Sequence, residues 1–233
     1  MRIVVTNDDG IDAAGIAALE RAAIPFGEVT IVAPAAAQSG VGHQLTTEAP
    51  LRVETVGARR HRVDGKPADC TRLALTHFAR DAAWLLAGIN HGANLGSDIY
   101  TSGTVAAARE AALLGCAAVA VSQYVGRNRE IDWELSALRL APVLRLLFAR
   151  GPAPGHFWSV NLPHPPGDAV ELPVVFCRLD TRAHAVRYRH EGDVFVYAGD
   201  YHARPRQAGR DVDVCMSGRI AVTQVTLEVA AER

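Results

Sequence analysis

The chain has 233 residues, 49% of them apolar, with a formal net charge of −1. That is long enough for one large α/β domain burying roughly 70–75% of its unfolded surface, and too neutral overall to attract a nucleic acid duplex or an anionic membrane. Cys70, Cys116, Cys177 and Cys215 are scattered without a CxxC pair, which argues against cysteine-ligated zinc and a disulfide framework and fits reduced thiols in the cytoplasm.

Arg2 to Thr6 reads as an apolar strand that enters directly at the N-terminus, with no basic and apolar leader before it. No apolar run approaches the roughly 18 residues of a membrane span, so no membrane partner is expected. The strand stops at Asn7-Asp8-Asp9-Gly10. Ala13 to Ala23 has helical spacing, and Glu28 to Ala33 is a second buried strand ended by Pro34, which completes a β-α-β unit. Right-handed crossovers put the Asp8/Asp9 turn and the following loop, with Ser39-Gly40, at one sheet edge.

Leu51 to Val56 and Arg59 to Val63 alternate as short strands or a hairpin, and Pro67-Ala68-Asp69 opens a helix running to about Ala79. Ala83 to Ile89 is a continuous apolar strand leading to Asn90-His91-Gly92-Ala93-Asn94-Leu95-Gly96. Ser102-Gly103-Thr104 precedes an alanine-rich helix, Val105 to Leu114, stopped by Gly115 and followed by a strand from Ala117 to Ser122. Ile131 to Arg150 reads as a long helix bent by Pro142, and Phe157 to Leu162 as a further strand. The tail changes character. Val186 to Tyr197 predicts an extended hairpin arm that finds its partner surface on another subunit, Asp200 to Asp211 a loop, and Arg219 to Val229 a last core strand.

Adjacent carboxylates about 5 Å apart repel by roughly 3 kcal/mol at an effective dielectric near 20, so Asp8 and Asp9 call for a cation or a shared proton. Ser39 adds a hydroxyl and Asn90 a carboxamide oxygen, a donor set suited to Mg²⁺ or Mn²⁺. Ser102, Gly103 and Thr104 at a helix start offer an anion site, although the same residues serve as ordinary caps. His91 and His43 are candidates for proton donation or base stacking, and Lys66, the lone lysine, for a phosphate contact or a solvated position.

Thr6 to Gly10, the Ser39-Gly40 loop, Gly88-Ile89-Asn90 with Asn94-Leu95-Gly96, and Ser102 to Ala108 together resemble the SurE family of survival-protein 5′-nucleotidases, and Asp211-Val212-Asp213 echoes its tail. The likeness is close from Met1 to about Ser122. It implies a Rossmann-like, mostly parallel sheet flanked by helices, forming a single domain over 1–233 with an extended C-terminal β-hairpin arm at about 180–217. It also implies one divalent ion (Mg²⁺ or Mn²⁺) per subunit on Asp8, Asp9, Ser39 and Asn90, and a phosphate pocket of Gly40, Asn94, Ser102, Gly103 and Thr104.

The implied reaction is hydrolysis of nucleoside 5′-monophosphates, with Asp8 and Asp9 as catalytic residues and either water or an aspartate as nucleophile. Activity on 3′-nucleotides and short polyphosphate belongs to the same expectation, as do homodimers or homotetramers formed through the arm. The family usually has a small residue at His91 and Pro at Ala93, which bears on substrate preference. The rival reading is a non-catalytic metal- and nucleotide-binding regulator. A phosphoacceptor receiver domain also pairs carboxylates after its first strand, but it needs a late-strand lysine, and Lys66 precedes a helix.

Overall fold

A computed structural model describes residues 1–183 and 186–228. Val229, the expected end of the last strand, and positions 184, 185 and 230–233 of the expected single domain lie outside these residues. Among the described residues nine strands form one sheet: β1 (Arg2–Thr6), β2 (Glu28–Pro34), β3 (Val53–Gly57), β4 (Arg60–Val63), β5 (Trp84–His91), β6 (Ala117–Gln123), β7 (His156–Leu162), β8 (Val174–Phe176) and β11 (Ile220–Thr226), in the order β3-β4-β2-β1-β5-β6-β7-β11-β8. From β4 to β7 every neighbour is parallel, while β3 and β11 run antiparallel to β4 and β7.

The strands alternate between two buried faces, as central parallel strands must. Ile3, Val5, Leu86, Val119 and Val121 pack with α1 (Ala14–Ala23) and α4 (Trp133–Arg150). Val4, Leu85, Ala87, Ala118 and Ala120 pack with α2 (Pro67–Leu73) and α3 (Gly103–Leu113). Alanine meets alanine between α3 and β5/β6, where Ala107, Ala108 and Ala111 face Ala87, Ala118 and Ala120. Small side chains on both sides let the helix axis approach the sheet, and this fixes where the α3 N-terminus lies. On the opposite face, a Cβ at Gly15 would stand 2.0 Å from Ile89 O, so α1 seats its first turn directly on the end of β5.

Several element boundaries differ from expectation. The helix at Pro67 ends in α form at Leu73 and widens into a π turn over Ala74–Phe78, closed by Ala79 N–H on Ala74 O at 2.7 Å. α4 starts at Trp133 because Asp132 Oδ1 accepts from Leu135 N–H. It runs on through Pro142; Leu138, whose carbonyl loses a partner there, is exposed, so water can serve that group. The short strand β8 and the helix α5 (Asp211–Met216), the latter beginning where the loop was expected to end, were not anticipated. The hairpin arm is present as β9 (Tyr188–Glu191) and β10 (Val194–Tyr197), a separate two-stranded sheet with Tyr188, Val194, Phe195 and Tyr197 exposed. No helix among the described residues is long and apolar enough to cross a membrane.

Candidate functional site

The chain steps outward from β1 to β2 and later returns to β1's other side with β5, so the strand order reverses between β1 and β5. Loops leaving the C-terminal ends of two such strands diverge, and the crevice between them is where open α/β sheets bind ligands. The Asp8/Asp9 turn follows β1, and His91-Gly92-Ala93 follows Asn90 at the end of β5. Asp9 Oδ2 accepts from His91 N–H at 2.9 Å, a bond that joins the two loops across the crevice.

Asn7 closes the turn by donating Nδ2–H to Gly10 O at 2.8 Å. Asp8 is buried, and its Oδ1 accepts from the Thr104 hydroxyl at the start of α3. Burial pushes the Asp8 carboxyl up to about 6; the Thr104 bond pulls the other way and the Asp9 charge adds to the rise. Burial also raises Asp9, opposed by the His91 N–H and by the His91 charge. Asn90 spends Nδ2–H on Gly92 O at 2.8 Å, which turns its carboxamide oxygen the other way. Asp9 Oδ1 and Asn90 Oδ1 are therefore left without a hydrogen-bond donor among the described residues.

Ser102 caps α3, its Oγ accepting from Val105 N–H at 3.1 Å. Gly103 lies against Asp8 so closely that an added Cβ would stand 2.9 Å from Asp8 Cβ and Oδ2. Ser39 and Gly40 are exposed on the loop after β2. Their neighbour Gln38 donates N–H to Asp8 O at 2.7 Å, and Gly42 N–H reaches Thr101 O at 3.0 Å, so the pair spans from the aspartate turn to the start of α3.

Of the remaining candidates, Asn94, His43 and Lys66 are engaged with other side chains. Asn94 Nδ2 donates to Ser122 Oγ at 2.8 Å, and its backbone exchanges two bonds with the Asn161 carboxamide. The His91 ring is exposed, 6.3 Å from that of Trp133. His43 Nε2 pairs with Glu110 Oε2 at 2.7 Å, and Lys66 Nζ with Gln38 Oε1 at 2.9 Å.

Sequence reasoning missed the residues that brace the loop between Asn94 and Tyr100. Asp98 Oδ2 accepts from Arg204 Nη1 at 2.6 Å and from the Tyr201 hydroxyl at 2.9 Å. The buried Asp211 accepts from Gly96 N–H and Asp180 N–H, both at 2.6 Å, and from Val212 N–H at 2.9 Å. Only Asp211 had a signal, as part of the Asp-Val-Asp echo; nothing local marks Asp98, Tyr201 or Arg204. Removing the Asp211 carboxylate strands buried N–H groups on two segments, so Asp211→Ala is expected to cost about 3 kcal/mol in denaturant unfolding. Wild-type stability in that variant would mean the clamp carries no load.

Residues 3–185 match the family described as survival protein SurE. A putative 5′-nucleotidase of Nostoc sp. is 47% identical over 225 residues, covering 97% of this chain and 99% of that protein. The 5′-nucleotidase SurE of Paramagnetospirillum magneticum is 36% identical over 240 residues, covering 98% and 91%. The crystal structure of the SurE protein from Aquifex aeolicus superposes with a TM-score of 0.87 at 30% identity, covering 99% of this chain and 95% of that one.

Proposed function

The chain belongs to the SurE family, and from that premise we propose that it is a divalent-metal-dependent phosphomonoesterase that converts nucleoside 5′-monophosphates to nucleoside and phosphate. One juxtaposition carries the reading: a buried aspartate at a sheet switch point, bonded to Thr104 in the first turn of a helix whose positive end lies beside it.

The oxygens present suit Mg²⁺ or Mn²⁺, one per subunit. Asp8 and Asp9 bring charge, and the unpartnered Asp9 Oδ1 and Asn90 Oδ1 offer hard donors that nothing else among the described residues uses. Ser39 is carried between Asp8 and Thr101 by its neighbours' backbone bonds, within reach of the same crevice. When bound, the cation neutralises charge on the phosphate and promotes attack at phosphorus.

The chain's own groups supply the rest. The Gly103 N–H and the positive end of α3 stabilise charge developing on the phosphoryl oxygens. Thr104 and His91 N–H hold the two carboxylates so that they orient a water for in-line attack. Asn94, tied to Ser122 and Asn161, and the Gly96 loop tied to Asp211 form a stiff rim on the substrate side. The exposed aromatic hairpin β9–β10 suits assembly into a homodimer or homotetramer.

The test is phosphate release from 5′-nucleotides, 3′-nucleotides and short polyphosphate with Mg²⁺, Mn²⁺ or chelator. Release from 5′-nucleotides that stops on chelation is expected. Tight nucleotide binding with no metal-dependent release would establish a regulator instead.

A further inference from the structure

We propose that Glu110 is a positioning residue for this reaction: through His43 it seats the strap that carries Ser39 and Gly40 between the Asp8 turn and the start of α3. The proposal rests on the metal and phosphate roles proposed above for that pair.

The strap is the connection 35–52 between β2 and β3, which has no regular structure of its own. A segment of that length is costly to hold in one place unless specific bonds fix it. It is fixed at successive points by α2, α3 and the turns before them. Gln38 N–H bonds Asp8 O and Gly42 N–H bonds Thr101 O. The Thr46 N–H and hydroxyl both bond Asp69 in the first turn of α2, at 2.9 and 2.8 Å. Between Gly42 and Thr46 the side-chain anchor is His43 on Glu110.

Glu110 is an unusual residue for its place. It is 2% exposed, on a helix whose neighbouring positions are the buried Ala107, Ala108 and Ala111. Its Oε1 accepts from Arg72 Nε at 2.5 Å and its Oε2 from His43 Nε2 at 2.7 Å. Arg109 completes the arrangement, with Nη1 3.5 Å from His43 Nδ1 and Nη2 on Ile99 O at 2.8 Å. The pairing assigns the His43 proton to Nε2, because Glu110 accepts and Arg109 donates. A buried ion pair is commonly no more stabilising than apolar packing of the same volume, so stability alone does not account for a carboxylate on an alanine face. What it does provide is a directional anchor: the imidazole has one seat, and that seat sets where the strap crosses α3. Ser39 and Gly40 lie within the five residues from Gln38 to Gly42, so slack at His43 reaches their position by loosening the Gly42 bond to Thr101. His43 thereby acts on the site without touching the reacting atoms.

The test combines hydrogen exchange of the metal-free protein with Mn²⁺ titration and steady-state kinetics. His43→Ala is expected to speed exchange at the Gly42 and Thr46 amides about 10-fold and to weaken Mn²⁺ binding by about 10-fold, the low end for loss of a group that supports a ligand. Turnover at low Mn²⁺ should fall accordingly and recover at saturating Mn²⁺, with KM for the nucleotide unchanged. His43→Gln, whose carboxamide N–H can reach Glu110, should restore most of both properties. Adding His43→Ala to Glu110→Ala should do no further harm, since the two act as one unit. His43→Ala leaves the buried Glu110 carboxylate paired with Arg72, so the test survives if Glu110→Ala does not fold. Unchanged exchange in His43→Ala, or a His43→Gln variant no better than Ala, overturns the proposal. If the wild-type protein neither binds Mn²⁺ nor releases phosphate, the functional reading fails, and the exchange data still decide whether Glu110 seats the strap.

Discussion

Asp8→Asn is expected to lower kcat/KM for phosphate release by about 10³-fold and, in the same protein, to raise the melting temperature of the metal-free form at pH 8. Both effects come from the same burial. Asp8 is held out of water beside Asp9, with the Thr104 hydroxyl as its side-chain donor, and its carboxyl is pushed up to about 6 from 3.8. Between those values the folded protein keeps a proton that the unfolded chain has released, so stability falls as pH rises through that window. Above it the ionised carboxylate costs about 3 kcal/mol, by 1.36 kcal/mol for each pH unit of displacement.

An asparagine retains the oxygen for Thr104 and removes the charge. In chelator at pH 8 the variant should therefore melt higher by about 5 °C, allowing for the remaining cost of a buried amide. At pH 4, where wild-type Asp8 is protonated, the advantage should vanish. A variant that melts at or below wild type at pH 8 would show that no destabilising charge sits there. Saturating Mn²⁺ should reverse the order, because the cation stabilises only the protein that retains both carboxylates.

Gly103→Ala is expected to cost about 10²-fold in kcat/KM while leaving the protein folded. Alanine favours helices by up to about 1 kcal/mol over glycine, which by itself would stabilise α3. Opposing this, the new Cβ would stand 2.9 Å from Asp8 Cβ and Oδ2 and 3.1 Å from Pro67 Cγ. The Asp8 Cβ is the root of a buried side chain and cannot swing aside, so either the aspartate or the helix end must shift. Overpacking of this kind costs roughly 1–3 kcal/mol, which leaves a net loss of about 1 kcal/mol in denaturant unfolding. The larger penalty is geometric: displacing a reacting group by about 1 Å is enough to lose two orders of magnitude. Wild-type turnover would mean that the contact between α3 and the aspartate turn has slack.

The central sheet was legible because its strands are continuous apolar runs ended by turn residues, and because both faces are buried. The arm was legible for the opposite reason: Tyr188 stands between arginines, and Phe195 and Tyr197 lie in a four-residue apolar run with Val194 and Val196, too short to build a core. β8 escaped because three residues carry no period, and α5 because six residues rich in Asp and Val are too few to show a helical one. At the site, motif order brought out Asp8, Asp9, Asn90 and Ser102 to Thr104, and their loops do meet at one crevice. Local sequence was silent on which partner each side chain would take. Nothing near His43 signals Glu110, 67 positions away, and nothing near Asp98 signals Arg204, 106 positions away. Such bonds are set by how α3 and the tail pack, which no window of sequence contains.

The bond from Gly96 N–H to Asp211 Oδ2 links residues 115 positions apart, and this has a consequence for the nascent chain. By the time Thr104 has emerged from the ribosome, every proposed ligand of the cation and the phosphate has been synthesised. The rim of the crevice, however, still lacks the carboxylate that holds it. At roughly 5–20 residues per second, Asp211 follows Gly96 by about ten seconds. The crevice of a growing polypeptide thus acquires this clamp only once the segment just ahead of β11 has been made.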